Sequence, residues 1–287
     1  MQLVSVRDML KKALDGGYAI GHFDVHNLEW IQAVLEAAKE EKSPVILGVT
    51  EEAVRYLGGY SVAGAIIKSL MKEMNITVPV ALHLDHGQSV ESCKSAIDNG
   101  FTSVMIDGSH FPFEQNMKMT KEVVDYAHPK GVTVEAELGS IGGQEGILKS
   151  EGPVYADLNE CIELVKHAKI DSLTPALGTA HGPYKGEPVI GFDKMEEISN
   201  SVKIPLVMHG GSGLPPEQIK KSIALGTAKI NVNADNHLAF SKTVREELNQ
   251  NKELYVASDY LAKGRSSVKE TVIGKLRLFG SSGKAIK

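Results

Sequence analysis

Ten residues, Val78-Pro79-Val80-Ala81-Leu82-His83-Leu84-Asp85-His86-Gly87, run from an apolar, strand-forming stretch into two imidazoles, a carboxylate and a glycine. Successive side chains of a strand point to opposite faces, so His83 and Asp85 would share one face while His86 begins the following turn. Polar groups at the end of a buried strand are costly unless a partner or an ion satisfies them. Two more histidines, His181 and His209, share with His86 a glycine as the next residue. Glycine lets the backbone approach a ligand closely. Three imidazoles that leave one position open make a catalytic zinc site, and zinc there would polarise a carbonyl. His83 competes with His86 for the third place, and spacing alone does not choose between them. Asp85 would serve as general acid–base or orient a ligand.

Glu145 lies in the glycine-rich run Gly142-Gly143-Gln144-Glu145-Gly146. A loop of that kind can close over a site and deliver a base while excluding water. Two other stretches suit phosphate: His209-Gly210-Gly211-Ser212-Gly213 and Asn231-Val232-Asn233-Ala234. Backbone N–H groups of a glycine-rich turn, with a hydroxyl among them, form an anion cradle.

These groups need a frame, and the apolar pattern supplies one. Short apolar runs are expected as strands at 18–23, 45–49, 80–84, 103–107, 132–137, 172–175, 204–209 and 229–233. Helix-period segments separate them, among them 28–40, 62–74, 89–99, 114–127, 159–167 and 216–225. Strands alternating with amphipathic helices imply parallel pairing. Eight such units in 287 residues point to a closed (β/α)8 barrel, the TIM barrel, read as a single domain with a C-terminal helical extension at 250–287. An open doubly wound sheet would instead show a GxGxxG turn after an early strand, and none is present. Barrel active sites gather at the C-terminal ends of the strands. The strand ends here read Asp24, Thr50, Asp85-His86, Asp107, Glu137, a loop reaching His181, His209, and Asn231 to Asn233. Most polar interruptions of apolar runs thus converge on one rim, which solvated surface charges would not do.

The composition is globular, 42% hydrophobic and 23% charged. A net charge of −5 argues against broad nucleic-acid or anionic-membrane binding, while leaving room for local phosphate pockets. The two cysteines, Cys93 and Cys161, form no metal-spaced pattern and fit a reducing compartment. No run reaches membrane-span length and no signal-peptide core follows Met1, so a cytoplasmic location is expected.

The segments 82–87, 134–139, 142–145, 181–186, 209–213 and 229–233 together closely resemble the class II, zinc-dependent fructose-bisphosphate aldolases, in order and with matching gaps from about Val4 to Gly280. That resemblance implies that His86, His181 and His209 hold the zinc and that Asp85 handles the C4 hydroxyl proton. It implies that Glu145 exchanges the proton on the dihydroxyacetone phosphate carbon. Gly182, Gly210, Gly211, Ser212, Asn231, Asn233 and Ala234 would bind that half's phosphate, with a monovalent cation (Na+ or K+) beside it. Asp107 and Glu137 match positions that hold a second or displaced metal ion, and a homodimer or homotetramer is implied.

Several positions depart from the family's pattern. Asp24 stands where asparagine is usual, Thr50 where serine is usual, and Glu51-Glu52 where a small neutral pair is usual. Ala234 replaces a threonine or serine, so phosphate there would rely on backbone N–H groups. Like charges repel strongly in a dry cleft, so these changes bear on the aldehyde half. Arg265 would supply the distal phosphate contact, across a dimer. The expected reaction is cleavage of a ketose 1,6-bisphosphate, fructose 1,6-bisphosphate foremost. Tagatose-bisphosphate aldolase and 6-phospho-5-dehydro-2-deoxy-gluconate aldolase are the close alternatives. A non-catalytic sugar-phosphate-binding barrel would have lost a ligand or Asp85, and a metal-dependent hydrolase barrel would carry a His-x-His pair on its first strand. The sequence shows neither.

Overall fold

The structure, a computed structural model, describes residues 2–139, 141–143, 155–184, 186 and 188–285. Eight strands close into a parallel barrel. They are β1 (Ile20–Asp24), β2 (Val45–Thr50), β3 (Val80–Gly87), β4 (Ser103–Ile106), β5 (Thr133–Leu138), β6 (Ser172–Pro175), β7 (Leu206–Met208) and β8 (Thr227–Val232). Each neighbours the next, and β8 returns to β1 with His22 opposite Asn231. The outermost pairs on the rim place Asp24 beside Gly48 and Thr50 beside Asp85. The (β/α)8 expectation therefore holds.

Local chemistry fixes the connecting helices. Asn27, Thr50, Ser89 and Asp157 cap helices with side-chain oxygens that accept backbone N–H groups, a role their short polar side chains suit. The helix Leu28–Glu40 buries Ile31, Val34, Leu35 and Ala38, the face its period predicts, and Trp30 beside them. Some boundaries differ from expectation. A helix Glu51–Leu57 follows β2 directly, because Thr50 both ends the strand and caps the helix. The helix after β8 begins at Ala234, ahead of the helical period at 239–249, and the C-terminal helix runs from Ala257 to Leu278, ahead of the period at 266–279. A two-stranded side sheet pairs Gly142–Gly143 with Ala180–His181.

The barrel interior is layered. At the N-terminal end, the helix Val6–Gly16 plugs the opening, with Val6, Met9 and Leu10 packed on Ile20, Ile46 and Ala81. Above this apolar floor lie His22, His83, Glu135 and Lys229, all almost completely buried. Asp24, Asp85, Glu137, His209 and Asn231 form the layer above and open at the rim. Apolar residues on the outer strand faces bury against the helices.

Candidate active site

His86 is the unusual residue of the rim. Its φ is 48°, a left-handed backbone that L side chains rarely adopt. The β3–β4 register shifts between Leu84 and Gly87 at the same place. In a regular strand Asp85 and His86 would face opposite ways. The left-handed residue turns both towards the mouth.

His86 Nε2 lies 3.0 Å from His209 Nδ1. The ring of His181 completes the group, its centroid 5.1 Å from that of His86 and 5.6 Å from that of His209. One nitrogen of each of these three rings lies within 4.8 Å of the other two. The imidazoles arrive from the end of β3, from the side sheet beyond β6 and from the residue after β7. Burial pushes His209 down to about 4, so its ring is neutral, the form that ligates metals. Burial opposes charge on His86 too, but the carboxylates of Asp85, Asp107 and Glu137 outweigh it and raise its pKa well above the usual value. His83 is set apart from the trio: its Nδ1 meets Ser103 Oγ at 2.7 Å, and it falls with His22 and Asp85 in a separate cluster.

Asp107 Oδ2 lies 2.8 Å from His86 Nδ1, and Glu137 Oε2 lies 3.8 Å from it. These two carboxylates and His86 form a third potential metal group. Glu137 Oε2 is buried without a hydrogen bond. Burial, then the neighbouring Asp107 charge, raises the Glu137 pKa well above the ordinary carboxylate value.

Asp85 is 3% exposed and accepts a hydrogen bond from Asn231 Nδ2 at 3.2 Å. Burial would raise its pKa, but His22, His86, His209 and Lys229 together hold it well below the usual carboxylate range. Asp24 sits across the same pocket and meets His22 Nε2 at 3.0 Å. Gly48 makes room for that pair, since a Cβ there would lie 1.7 Å from His22 Nε2.

The glycine-rich turn after β7 is held open by its neighbours. Gly210 has a φ of 68°, and a Cβ on it would lie 2.4 Å from Ala180 O. Tyr184 OH donates to Gly210 O and accepts from Ala180 N. Ser212 Oγ accepts from the backbone N–H groups of Asn233 and Asp235. The helix Ala234–Gln250 starts here, and its N-terminal N–H groups favour an anion. Lys275 of the C-terminal helix pairs with Asp235 at 2.6 Å and braces this turn from behind.

One small pocket is lined by Asp24, Asp85, His181, Gly182, His209, Gly210, Ser212, Asn231, Asn233 and Ala234. Beside it a cleft of about 600 Å³ carries Thr50, Glu51, Glu52, Arg55, His86, His26 and His237. The rim residues named from the sequence thus come together around one mouth. Gly211 backs the small pocket, its N–H donating to Asn231 O. Arg265 stands elsewhere: on the C-terminal helix, its guanidinium donates to Gln32 Oε1 at 2.8 Å and lies 4.0 Å from Glu36. Glu145 lies outside the described residues.

Sequence reasoning passed over Glu135 and Lys229. Lys229 Nζ meets Glu135 Oε2 at 2.7 Å inside the barrel, and Glu135 Oε1 lies 3.1 Å from His209 Nε2. The signal that could have found them was spacing: each stands two residues before a rim residue, Glu137 or Asn231, and so shares its inward face.

A closed barrel with three convergent imidazoles, a buried carboxylate and a phosphate-ready turn on one rim defines a metal-competent α/β-barrel enzyme of sugar-phosphate type. The family description "Fructose-bisphosphate aldolase class-II" matches residues 4–284. The chain belongs to the class II fructose-bisphosphate aldolase family, whose members are aldehyde-lyases. It is 60% identical over 285 residues to a fructose-bisphosphate aldolase of Geobacillus stearothermophilus, covering 99% of each chain. It is 56% identical to a fructose-bisphosphate aldolase of Staphylococcus aureus, covering 99% of this chain and 100% of that one. Among solved structures, the YdjI aldolase from Escherichia coli K12 superposes with a TM-score of 0.85 at 35% identity, covering 99% of this chain and 100% of that one.

Proposed function

We propose that this protein is a zinc-dependent aldolase that reversibly cleaves fructose 1,6-bisphosphate into dihydroxyacetone phosphate and glyceraldehyde 3-phosphate. One observation carries the reading: His86, His181 and His209, from distant parts of the chain, present ring nitrogens to a common point beside the Asp85 carboxylate. The all-nitrogen donor set and the neutral His209 ring suit Zn2+. Bound there, zinc supplies Lewis-acid stabilisation of negative charge on the substrate oxygens.

The chain's own groups do the rest. The Gly210–Ser212 turn, Gly182, Asn231, Asn233 and the helix N-terminus at Ala234 bind the ketose phosphate through N–H groups, with a monovalent cation alongside. Asp85, ionised and fixed by Asn231, takes the proton of the C4 hydroxyl as the C3–C4 bond opens. Glu145 exchanges the proton on the remaining carbon. Thr50 in the wide cleft and Asp24 in the small pocket beside it meet the aldehyde half, and the partner subunit's Arg265 reaches its phosphate. Asp107 and Glu137 offer a second resting place for a metal. The protein works as one domain per chain, in a cytoplasmic homodimer or homotetramer. No helix among the described residues is long and apolar enough to cross a membrane.

His181→Ala is expected to remove both bound zinc and cleavage activity, read by metal analysis and a coupled assay for dihydroxyacetone phosphate. Full activity in metal-free protein would sink the proposal. Parallel assays on tagatose 1,6-bisphosphate and 6-phospho-5-dehydro-2-deoxy-gluconate measure how far Asp24, Thr50 and Ala234 have shifted substrate choice.

A further inference from the structure

We propose that the buried Glu135–Lys229 pair is a positioning device for His209, fixing the ring so that Nδ1 faces the metal point. The inference rests on the zinc reading above. Four adjacent strands each contribute one side chain: Glu135 from β5, Thr174 from β6, His209 from the end of β7 and Lys229 from β8. Glu135 Oε1 accepts from Thr174 Oγ1 at 2.8 Å and lies 3.1 Å from His209 Nε2. Its other oxygen, Oε2, accepts from Lys229 Nζ at 2.7 Å. All four side chains are buried.

The Glu135 carboxylate can only accept, so His209 Nε2 donates to it at 3.1 Å; the Asn231 amide nitrogen, 3.3 Å from the same ring atom, directs its donation to Asp85 at 3.2 Å. The ring is then held in the tautomer whose lone pair lies on Nδ1, and Nδ1 is the atom 3.0 Å from His86 Nε2. Lys229 and Thr174 occupy one acceptor direction on each oxygen of Glu135 and tie the carboxylate in place against the imidazole. Stability does not account for the pair. A buried ion pair commonly contributes less than well-packed apolar side chains of equal volume, because both charges are stripped of water. A barrel interior needing only cohesion would be as well served by the aliphatic side chains that fill its floor.

The experiment compares metal-free wild type, Glu135→Gln, and the double variant Glu135→Gln with Lys229→Met, which leaves no lone buried charge. Zinc affinity is read by competition with a chromophoric chelator, ligand geometry by the d–d absorption of the Co2+ form, and folding by the melting of the metal-free proteins. The double variant is expected to melt cooperatively without metal, to bind zinc about 10–100-fold more weakly than wild type, and to show an altered Co2+ band. Zinc binding and a Co2+ spectrum unchanged from wild type would overturn the inference while leaving the zinc reading intact. A double variant unable to fold without metal would also overturn it, since the pair would then hold the barrel rather than the ring. Wild type that binds no zinc would remove the zinc reading and this inference together.

Discussion

Asp85 carries a negative charge under two opposed pressures. Burial favours its neutral form, while the imidazoles and the Lys229 ammonium around it favour the carboxylate and prevail. A group that stays ionised in a closed pocket is ready to receive a proton, and Asn231 fixes the direction from which it does so. Asp85→Asn keeps the shape and removes the basicity. It is expected to lower kcat for cleavage by about 10²–10⁴-fold with zinc content unchanged, since Asp85 is not one of the three imidazoles. Much at this scale was legible in the sequence, because histidines followed by glycine and acids interrupting strands are visible one residue at a time. The inward contacts of Glu135, Lys229 and His22 were not. They depend on which strands become neighbours across a barrel, and no local spacing encodes that.

The elements themselves were easier to read than their ends. Alternating apolar runs and helical periods give eight strands, because each period must match the face it buries. Helix starts at Glu51, Ala234 and Ala257 escaped the pattern, since there the boundary is set by a cap or by packing rather than by periodicity. The C-terminal helix shows how tertiary contact takes over. Its end is stitched to the turn before β2: Gly283 and Ala285 donate backbone N–H groups to the carbonyls of Glu41 and Lys42, and Ser43 Oγ donates to Ser281 Oγ. The Glu41 carboxylate accepts from Arg277 and from Ser282 Oγ. The Arg277 hydrogen bond, and next that of Ser282, hold the Glu41 pKa below its usual value. A depressed carboxylate pKa contributes stability above the ordinary carboxylate range, and that stability is lost as pH falls through the depressed value. The Arg277 side chain is well exposed, so water screens the pair and its contribution is small. Arg277→Ala is therefore expected to lower the melting temperature at neutral pH by about 1–3 °C, with the difference closing at strongly acid pH. A difference that instead grew on acidification would contradict the assignment.

At the scale of the molecule, the barrel separates cohesion from chemistry along its axis. The apolar floor under the N-terminal helix excludes water, the ionic middle layer aims side chains, and the rim meets substrate. Among the exposed apolar side chains, Leu238, 54% exposed, and Tyr255, 88% exposed, lie on or beside the two C-terminal helices. Exposed groups of this kind fit the proposed assembly into dimers or tetramers. Light scattering is expected to give two or four times the 30.9 kDa of one chain, and a strictly monomeric active enzyme would refute that assembly.

The left-handed backbone at His86 has a consequence for evolution and engineering alike. An L residue held in that conformation forgoes about 1–2 kcal/mol relative to relaxed geometry. The barrel thus tolerates a standing local penalty in exchange for one well-aimed nitrogen. Among variants that have lost that nitrogen, glycine should be the gentlest replacement. Metal-free His86→Gly is expected to melt above metal-free His86→Ala, by up to about 1 kcal/mol in stability, although alanine is the better residue almost everywhere else along a strand. A reversed ranking would mean that the kink costs nothing to maintain.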